Sequence, residues 1–217
     1  MPNWFETINA KTDPIRREIK SHPFIEKLMD GTLSKEVFRF YIEQDALYLS
    51  EYKRVLGALG IKCNDDPDIQ FFLSAATGII EVEQAVHELY LENGPDLGKI
   101  SPTCELYNSY LSRMVHTRPL EEGLAAVLPC FTIYKEVGDF ILANQTNQEE
   151  NPYQKWIATY GGEEFADSVN EAIAITDKHA ETASEETLRR MDAAFEKASR
   201  LEWMFWDSAY RKETWPV

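Results

Sequence analysis

The stretch from Ser34 to Ile61 reads SKEVFRFYIEQDALYLSEYKRVLGALGI, and its pattern predicts one long α-helix. Ser34 suits the position before the first turn, because its side-chain oxygen can accept a backbone N–H there. Glu36 places a negative charge where the helix dipole favours one. Apolar and aromatic residues then recur three or four positions apart, which is the period of one helix face. They are Phe38, Ile42, Leu49, Tyr52 and Leu56, and Asp45 occupies a position in the same stripe.

The rest of the chain repeats the helical period and lacks the alternating pattern and turn dipeptides of β-hairpins. Breaks such as Ser21-His22-Pro23, Asn93-Gly94-Pro95 and Gly161-Gly162 separate the periodic segments. These segments predict helices over about residues 4–20, 23–29, 34–61, 67–92, 103–116, 119–143, 153–159, 163–181 and 185–212. Antiparallel helices joined by short loops predict an all-α helical bundle that forms a single domain over residues 1–217.

Two local features predict where one of these helices begins and whether another is continuous. Ser184 suits the cap of the last helix, as Ser34 does for the long one. Pro129 lies inside the predicted helix 119–143. Because proline lacks a backbone N–H and its ring clashes with the carbonyl four residues earlier, we expect a kink or a local break one turn before it.

Charge and cysteine content narrow the class of function. The chain has 22 Lys and Arg against 37 Asp and Glu, a net charge of −15. A field of that sign repels phosphate, so nucleic acids and anionic membranes are poor partners, whereas a neutral or cationic small molecule is compatible. The longest apolar runs fall short of a membrane span, and the N-terminus shows no signal-peptide pattern. The three cysteines form no C-x-x-C pair, so we expect reduced thiols and a cytoplasmic location.

Acidic residues interrupt three otherwise apolar helix faces: Asp45, Glu83 and Glu202. Burying an ionised carboxylate is costly unless it is paired, and an exposed helix face costs less. These acids are therefore either satisfied internal groups or the walls of a polar chamber. Cys130 and Tyr134 share one face of the predicted helix 119–143. A lone buried cysteine is more often a small apolar residue than a nucleophile, so both interpretations stay open.

A thiol, two acids and several aromatic rings in one pocket would suit a flat heteroaromatic ring. The aromatic side chains would stack on the ring, and one carboxylate would accept a hydrogen bond from an exocyclic amine. A second acid would protonate a ring nitrogen, and the thiol would then attack the electron-poor carbon. Phenols from Tyr48, Tyr107 and Tyr160 could complete the same cavity.

Several motifs, in one order along nearly the whole chain, resemble the TenA family, also known as thiaminase II or aminopyrimidine aminohydrolase. They are Ser21-His22-Pro23-Phe24, Asp30-Gly31-Thr32-Leu33, FRFYIEQDALYL over 38–49, Ser101-Pro102-Thr103, LPCFTIYKEVG over 128–138, YQKWIATYGG over 153–162, Glu202, Phe205-Trp206 and AYRKE over 209–213. The resemblance implies a haem-oxygenase-like all-α fold assembled as a homotetramer. It also implies hydrolysis of aminomethyl-pyrimidine, a degraded form of thiamin, to hydroxymethyl-pyrimidine, and cleavage of thiamin to pyrimidine and thiazole. No metal and no cofactor are implied.

The resemblance also implies a role for each matching residue. Cys130 matches the nucleophile, and Glu202 matches the acid that protonates the pyrimidine ring. Asp45 matches the carboxylate that holds the ring's amino group, and Tyr48 matches the phenol that raises the nucleophilicity of the thiol. The phenols that position the substrate match Tyr107, Tyr134 and Tyr160. Glu83 matches an acidic position without an assigned role.

Four other functions compete with this interpretation. A di-iron carboxylate oxidase needs Glu-x-x-His pairs on two helices, and the chain has none, since Glu83 and His87 are four residues apart. A haem site on His22 conflicts with the helix break at that position. A regulator that contacts DNA conflicts with the acidic charge. A pyrimidine-binding protein that has kept the fold without turnover remains an open alternative.

Overall fold

The computed structural model describes residues 2–90 and 99–217, excluding the side chains of residues 81–90 and 164. Over those ranges the chain folds into helices without strands, as predicted. They are α1 Trp4–Lys20, α2 Pro23–Met29, α3 Lys35–Lys62, α4 Asp66–Tyr90, α5 Pro102–Thr117, α6 Leu120–Asn144, α7 Gln154–Gly161, α8 Glu163–Glu181 and α9 Glu185–Arg211. The predicted turn at Asn93-Gly94-Pro95 lies outside the described residues. No described helix combines the length and the apolar character that crossing a bilayer requires.

Short polar side chains begin several of these helices. The Ser34 hydroxyl accepts the Val37 N–H at 3.4 Å, and the Ser184 hydroxyl accepts the Thr187 N–H at 3.2 Å, so both predicted caps are confirmed. Ser101 caps α5 in the same way at 3.2 Å. Each cap satisfies a backbone donor that would otherwise lack a partner, and stabilises its helix by about 1 kcal/mol.

Helix α6 runs without interruption past Pro129, so the predicted local break is absent. The side chains from Leu124 to Phe131 are all buried, which places this part of α6 at the centre of the bundle. Losing one backbone hydrogen bond costs about 3 kcal/mol at a helix-interior proline. Packing on every side of α6 offsets that cost and maintains the helical path.

The core is organised around α3, α6 and α9. Helix α3 packs on α4, α5 and α9, while α6 packs on α5, α7, α8 and α9. Large aromatic side chains fill the space between them, with the Tyr41 ring stacked on the Trp206 indole at 5.2 Å between centroids. The predicted inward stripes are confirmed for Asp45, Cys130 and Glu202, which are all buried. The side chain of Glu83 lies outside the described residues.

Helices α6 and α7 approach each other most closely at two glycines. A Cβ atom built on Gly138 would lie 2.8 Å from the carbonyl carbon of Tyr160 and 2.9 Å from the Gly161 nitrogen. Real Cβ atoms do not tolerate such distances to backbone. The absence of a side chain at Gly138 therefore lets α7 lie directly on α6 and fixes the position of Tyr160.

We expect Gly138→Ala to destabilise the protein by about 1–3 kcal/mol, because the added methyl group forces two backbones apart. For a chain of this size, each kcal/mol lowers the Tm by about 2–4 °C. Differential scanning calorimetry would measure the change. Gly57→Ala is the matched control, because no described atom lies within 4 Å of its Cβ, and it should stabilise α3 slightly. Equal Tm values for the two variants would contradict the close-packing argument.

Candidate active site

A cavity of about 850 Å³ lies between α3, α4, α6, α7 and α8. Its volume falls in the range of small-molecule sites, and its lining is mainly aromatic and aliphatic with a few polar groups. The described residues that line it are Asp45, Tyr48, Leu49, Tyr52, Leu56, Phe71, Ser74, Ala75, Gly78, Ile79, Cys130, Phe131, Tyr134, Ala158, Thr159, Tyr160, Gly162, Glu163, Phe165 and Ser168.

Five of the seven residues predicted for the site line this cavity. Asp45 and Tyr48 come from α3, Cys130 and Tyr134 from α6, and Tyr160 from α7. Asp45 and Tyr48 lie within one turn of each other, as do Cys130 and Tyr134, so each pair projects from one stretch of helix. The structure thus brings the thiol, one carboxylate and three phenols to the same space.

The two other predicted residues, Glu202 and Tyr107, are buried outside the lining. The Tyr107 hydroxyl donates a hydrogen bond to Glu202 Oε1 at 2.7 Å. The Tyr107 ring in turn packs on the ring of Tyr48 with 4.9 Å between centroids. Tyr107 therefore contacts the acid and a cavity phenol, rather than the cavity itself.

The pKa of Glu202 is raised to about 8: burial has the largest effect, the hydrogen bond from Tyr107 lowers the pKa, and the negative charge of Asp45 raises it. Glu202 is 1% exposed, so water does little to stabilise its ionised form. A carboxyl group that titrates near neutral pH can both donate and accept a proton during one reaction cycle. That property distinguishes Glu202 from an ordinary surface acid.

Burial also raises the pKa of the Cys130 thiol well above its ordinary value, and the charge of Glu202 adds to the effect. The hydroxyl groups of Tyr48 and Tyr52 act in the opposite direction. The thiol is therefore protonated at neutral pH in the empty cavity. Nucleophilic attack by Cys130 requires a group that takes its proton as the new bond forms.

Tyr48 and Tyr52 form a stacked pair beside the thiol, with ring centroids 5.3 Å apart. The Tyr52 hydroxyl donates to the Val127 carbonyl at 2.9 Å, one turn before Cys130 on α6. The Tyr48 hydroxyl is buried and makes no hydrogen bond of standard geometry to the described residues. Its dipole still lowers the thiol pKa, so the two groups are neighbours in a loose contact that a bound ligand could tighten.

A wall of stacked rings forms the deep side of the cavity. The Tyr134 ring lies 4.9 Å from the Tyr160 ring and 5.1 Å from the Trp206 indole. The hydroxyl groups of Tyr134 and Tyr41 are 3.3 Å apart. Burial raises the pKa of Tyr41, Tyr134 and Tyr160, and the charge of Asp45 acts in the same direction on all three phenols. Such a wall suits the face of a flat ring with a hydrogen-bond acceptor at its edge.

Several residues of the site were not predicted from the sequence to have a function. Tyr52 was assigned only to the apolar stripe of α3, and its position seven residues after Asp45 was the available signal. Phe71, Glu163 and Phe165 carry no local signal, because their place at the cavity depends on how α4 and α8 pack. Among the described residues, no group of three or more His, Cys, Asp or Glu side chains could hold a metal ion.

Comparison with known proteins adds independent information. The profile of the TENA/THI-4/PQQC family matches residues 9–212. A protein from Bacillus subtilis (strain 168), named aminopyrimidine aminohydrolase, is 36% identical over 200 residues, which cover 89% of this chain and 84% of that protein. These matches confirm the family resemblance found in the sequence.

Solved structures show the same fold. A TenA homologue from Pyrococcus furiosus superposes with a TM-score of 0.89 at 25% identity, over 95% of this chain and 99% of that one. A protein from Shewanella denitrificans, described as having a heme oxygenase-like fold, superposes with a TM-score of 0.71 at 18% identity, over 95% of this chain and 90% of that one. The predicted haem-oxygenase-like all-α fold is thereby confirmed, and the chain belongs to the TENA/THI-4/PQQC family.

Proposed function

We propose that this protein is an aminopyrimidine aminohydrolase of thiamin salvage, which converts aminomethyl-pyrimidine and water to hydroxymethyl-pyrimidine and ammonia. The observation that carries the proposal is that Asp45 and Cys130 line one aromatic cavity, while Glu202, hydrogen-bonded to Tyr107, is buried behind that lining and its charge acts on the Cys130 thiol. The name of the Bacillus subtilis relative supports the same activity. Thiamin is the second proposed substrate, with thiazole leaving in place of ammonia.

Binding would orient the pyrimidine at the deep end of the cavity. The rings of Tyr134 and Tyr160 pack on its faces, and the Asp45 carboxylate accepts a hydrogen bond from the ring's amino group. Protein groups there replace water, which strengthens every electrostatic interaction with the ring. These contacts hold one ring carbon beside the sulfur of Cys130 in the geometry that attack needs.

The first chemical step joins sulfur to the ring. Glu202 gives its proton to a ring nitrogen, which makes the adjacent carbon electron-poor, and the resulting carboxylate takes the thiol proton as the S–C bond forms. This order of proton transfers agrees with the raised pKa values of both groups, because near pH 7 Glu202 is mainly protonated and Cys130 is a thiol. Tyr48 stabilises the sulfur as negative charge develops on it.

The second step releases the amine. The addition interrupts the aromatic ring, so the lone pair of the amino group held by Asp45 can expel the leaving amine from the side-chain methylene carbon. Glu202 protonates that amine, which departs as ammonia and leaves an exocyclic C=C bond. Water adds to the methylene carbon and gives a proton to the Glu202 carboxylate, which restores the acid. The S–C bond then breaks, and the proton on the ring nitrogen passes to the departing sulfur, which restores the Cys130 thiol. One water is consumed and one ammonia is released per cycle.

The proposal extends to the cellular setting and the assembly. We place the protein in the cytoplasm as a homotetramer, in line with the family resemblance. Helix α4 supports association, because Leu73 and Ile80 lie seven residues apart on one face and are each 43% exposed. Apolar side chains at that spacing form a stripe that a second copy of the chain could cover.

We expect Cys130→Ala to abolish release of ammonia from aminomethyl-pyrimidine, because Cys130 is the only thiol among the described residues that line the cavity. The helix content measured by circular dichroism should stay unchanged. An enzyme-coupled ammonia assay would follow turnover. Cys63→Ala is the matched control, since Cys63 is buried at the end of α3 away from the cavity, and it should keep its activity. Full activity of Cys130→Ala would rule out the thiol as the nucleophile.

We expect Glu202→Gln to lower kcat by about 10²–10⁴-fold with KM changed only a few-fold, because the amide fills the same space but cannot transfer protons. In the unaltered enzyme, the rate should fall as the pH rises through about 8, where Glu202 loses the proton it must donate. Glu202→Gln should lack that decline in its residual rate. Equal losses in kcat and in binding, or an unchanged pH profile, would indicate a positioning role instead.

We expect sedimentation velocity to give a particle four times the chain mass of 25.0 kDa. Leu73→Glu should shift the distribution towards smaller species, because it places a charge in an apolar contact. Lys197→Glu, an acid substitution at an exposed position of α9, is the control and should leave the mass unchanged. A monomeric unaltered protein would disprove the tetramer.

A further inference from the structure

The cavity is much larger than one pyrimidine ring requires. Its volume of about 850 Å³ is typical of sites that hold drug-sized molecules. A six-membered ring with small substituents, seated against Asp45 and Cys130, fills only a minor part of that volume. The remaining volume is therefore available to the group that the ring carries at its reacting carbon.

Burial distinguishes two ends of the cavity. At the inner end, Asp45, Tyr48 and Cys130 are 1%, 2% and 9% exposed. Among the lining residues, Ser74 and Glu163 are exposed to solvent, which indicates that the cavity opens on their side. The side chains of Phe71, Ile79 and Phe165 are partly buried, so their solvent exposure is intermediate between those of these two groups of residues. We call the space bounded by Phe71, Ile79, Glu163 and Phe165 the outer chamber.

The outer chamber combines apolar walls with a negative rim. Among the described residues that line the whole cavity, the charged ones are Asp45 and Glu163, and none is Lys, Arg or His. Glu163 is the first residue of α8, where the helix dipole alone would attract an anion. Its own carboxylate already supplies the negative charge that this position favours. The net charge of −15 acts in the same direction.

A phosphate group would therefore be unfavourable in the outer chamber. It would lose part of its hydration against Phe71, Ile79 and Phe165, and no described basic side chain of the lining would compensate. It would also lie near the carboxylate of Glu163. A neutral or cationic aromatic ring would be favourable there, because apolar side chains cover the faces of the ring and the acidic rim attracts a positive charge where the ring carries one.

We propose that the outer chamber holds the leaving group and selects it by charge, so that neutral and cationic aromatic groups enter and phosphorylated ones are rejected. The inference rests on the proposed function, which assigns the pyrimidine ring to the inner end. Glu163 is then a specificity-determining residue that acts against anionic substrates rather than for a particular one. Phosphate removal by another enzyme must precede cleavage of any phosphorylated form.

Calorimetric titration of Cys130→Ala with thiamin and with thiamin monophosphate tests the selection without turnover. We expect thiamin to bind at least about tenfold more tightly, because the charged phosphate would lie near the carboxylate of Glu163 and would lose part of its hydration against the apolar walls. Adding Glu163→Lys should reduce that ratio about tenfold, since it reverses the charge at the rim. Glu171→Lys, at an exposed position of the same helix, makes the same change in net charge and should leave the ratio within about twofold.

Equal affinities for the two compounds, absence of binding by both, or equal effects of Glu163→Lys and Glu171→Lys would overturn the inference. Turnover of aminomethyl-pyrimidine by the unaltered enzyme is measured separately. Its leaving group is only an amine, so the result tests the proposed function without involving the outer chamber. The two failures are therefore distinguishable.

Discussion

The burial of the Glu202 carboxyl group is the constraint on which the proposed chemistry of this protein depends. A carboxylate removed from water ionises reluctantly, and the resulting pKa of about 8 keeps the proton available near neutrality. The hydrogen bond from Tyr107 holds that carboxyl in one orientation, 2.7 Å from the phenol. Without the surrounding apolar mass, Glu202 would be a permanently ionised acid and could not serve as a proton donor.

The aromatic packing around Glu202 supplies that apolar mass. Trp206, one turn further along α9, stacks on Tyr41 and contacts Tyr134, while Phe205 packs on Tyr48. These rings bury a large area, which offsets the cost of enclosing two acids and a thiol. They also keep the groups rigid, so little reorganisation is needed when a ligand binds. Stability and reactivity therefore have the same physical source.

In the proposed function, the reaction takes place at the inner end of the cavity and the leaving group is selected at the outer end. At and behind the inner end, burial raises the pKa values of Cys130 and Glu202. At the outer end, Glu163 is exposed to solvent and presents a negative charge. The lining of one cavity thus changes from buried side chains to a solvent-exposed acidic residue.

The amino-acid sequence by itself determined the helices, most of their ends and the residues that face inward. Helical period and serine caps depend on neighbours within a few positions, which is why Ser34, Ser184 and the burial of Asp45, Cys130 and Glu202 could be predicted. The family resemblance supplied the proposed roles of those residues, because the motifs that carry the resemblance are short, continuous stretches of sequence. The continuity of α6 at Pro129 was not predictable in this way, since packing from distant helices decided it.

Only the tertiary structure decided which side chains share a space. Tyr107 and Glu202 are 95 residues apart in the chain and form a direct hydrogen bond behind the cavity rather than in its wall. Glu163 and Phe165 face the same cavity as Cys130 because α7 and α8 pack on α6, with α7 lying directly against Gly138. Such convergence results from the packing of whole helices. A local sequence pattern indicates the helix face on which a residue lies. It does not indicate which other helix packs against that face.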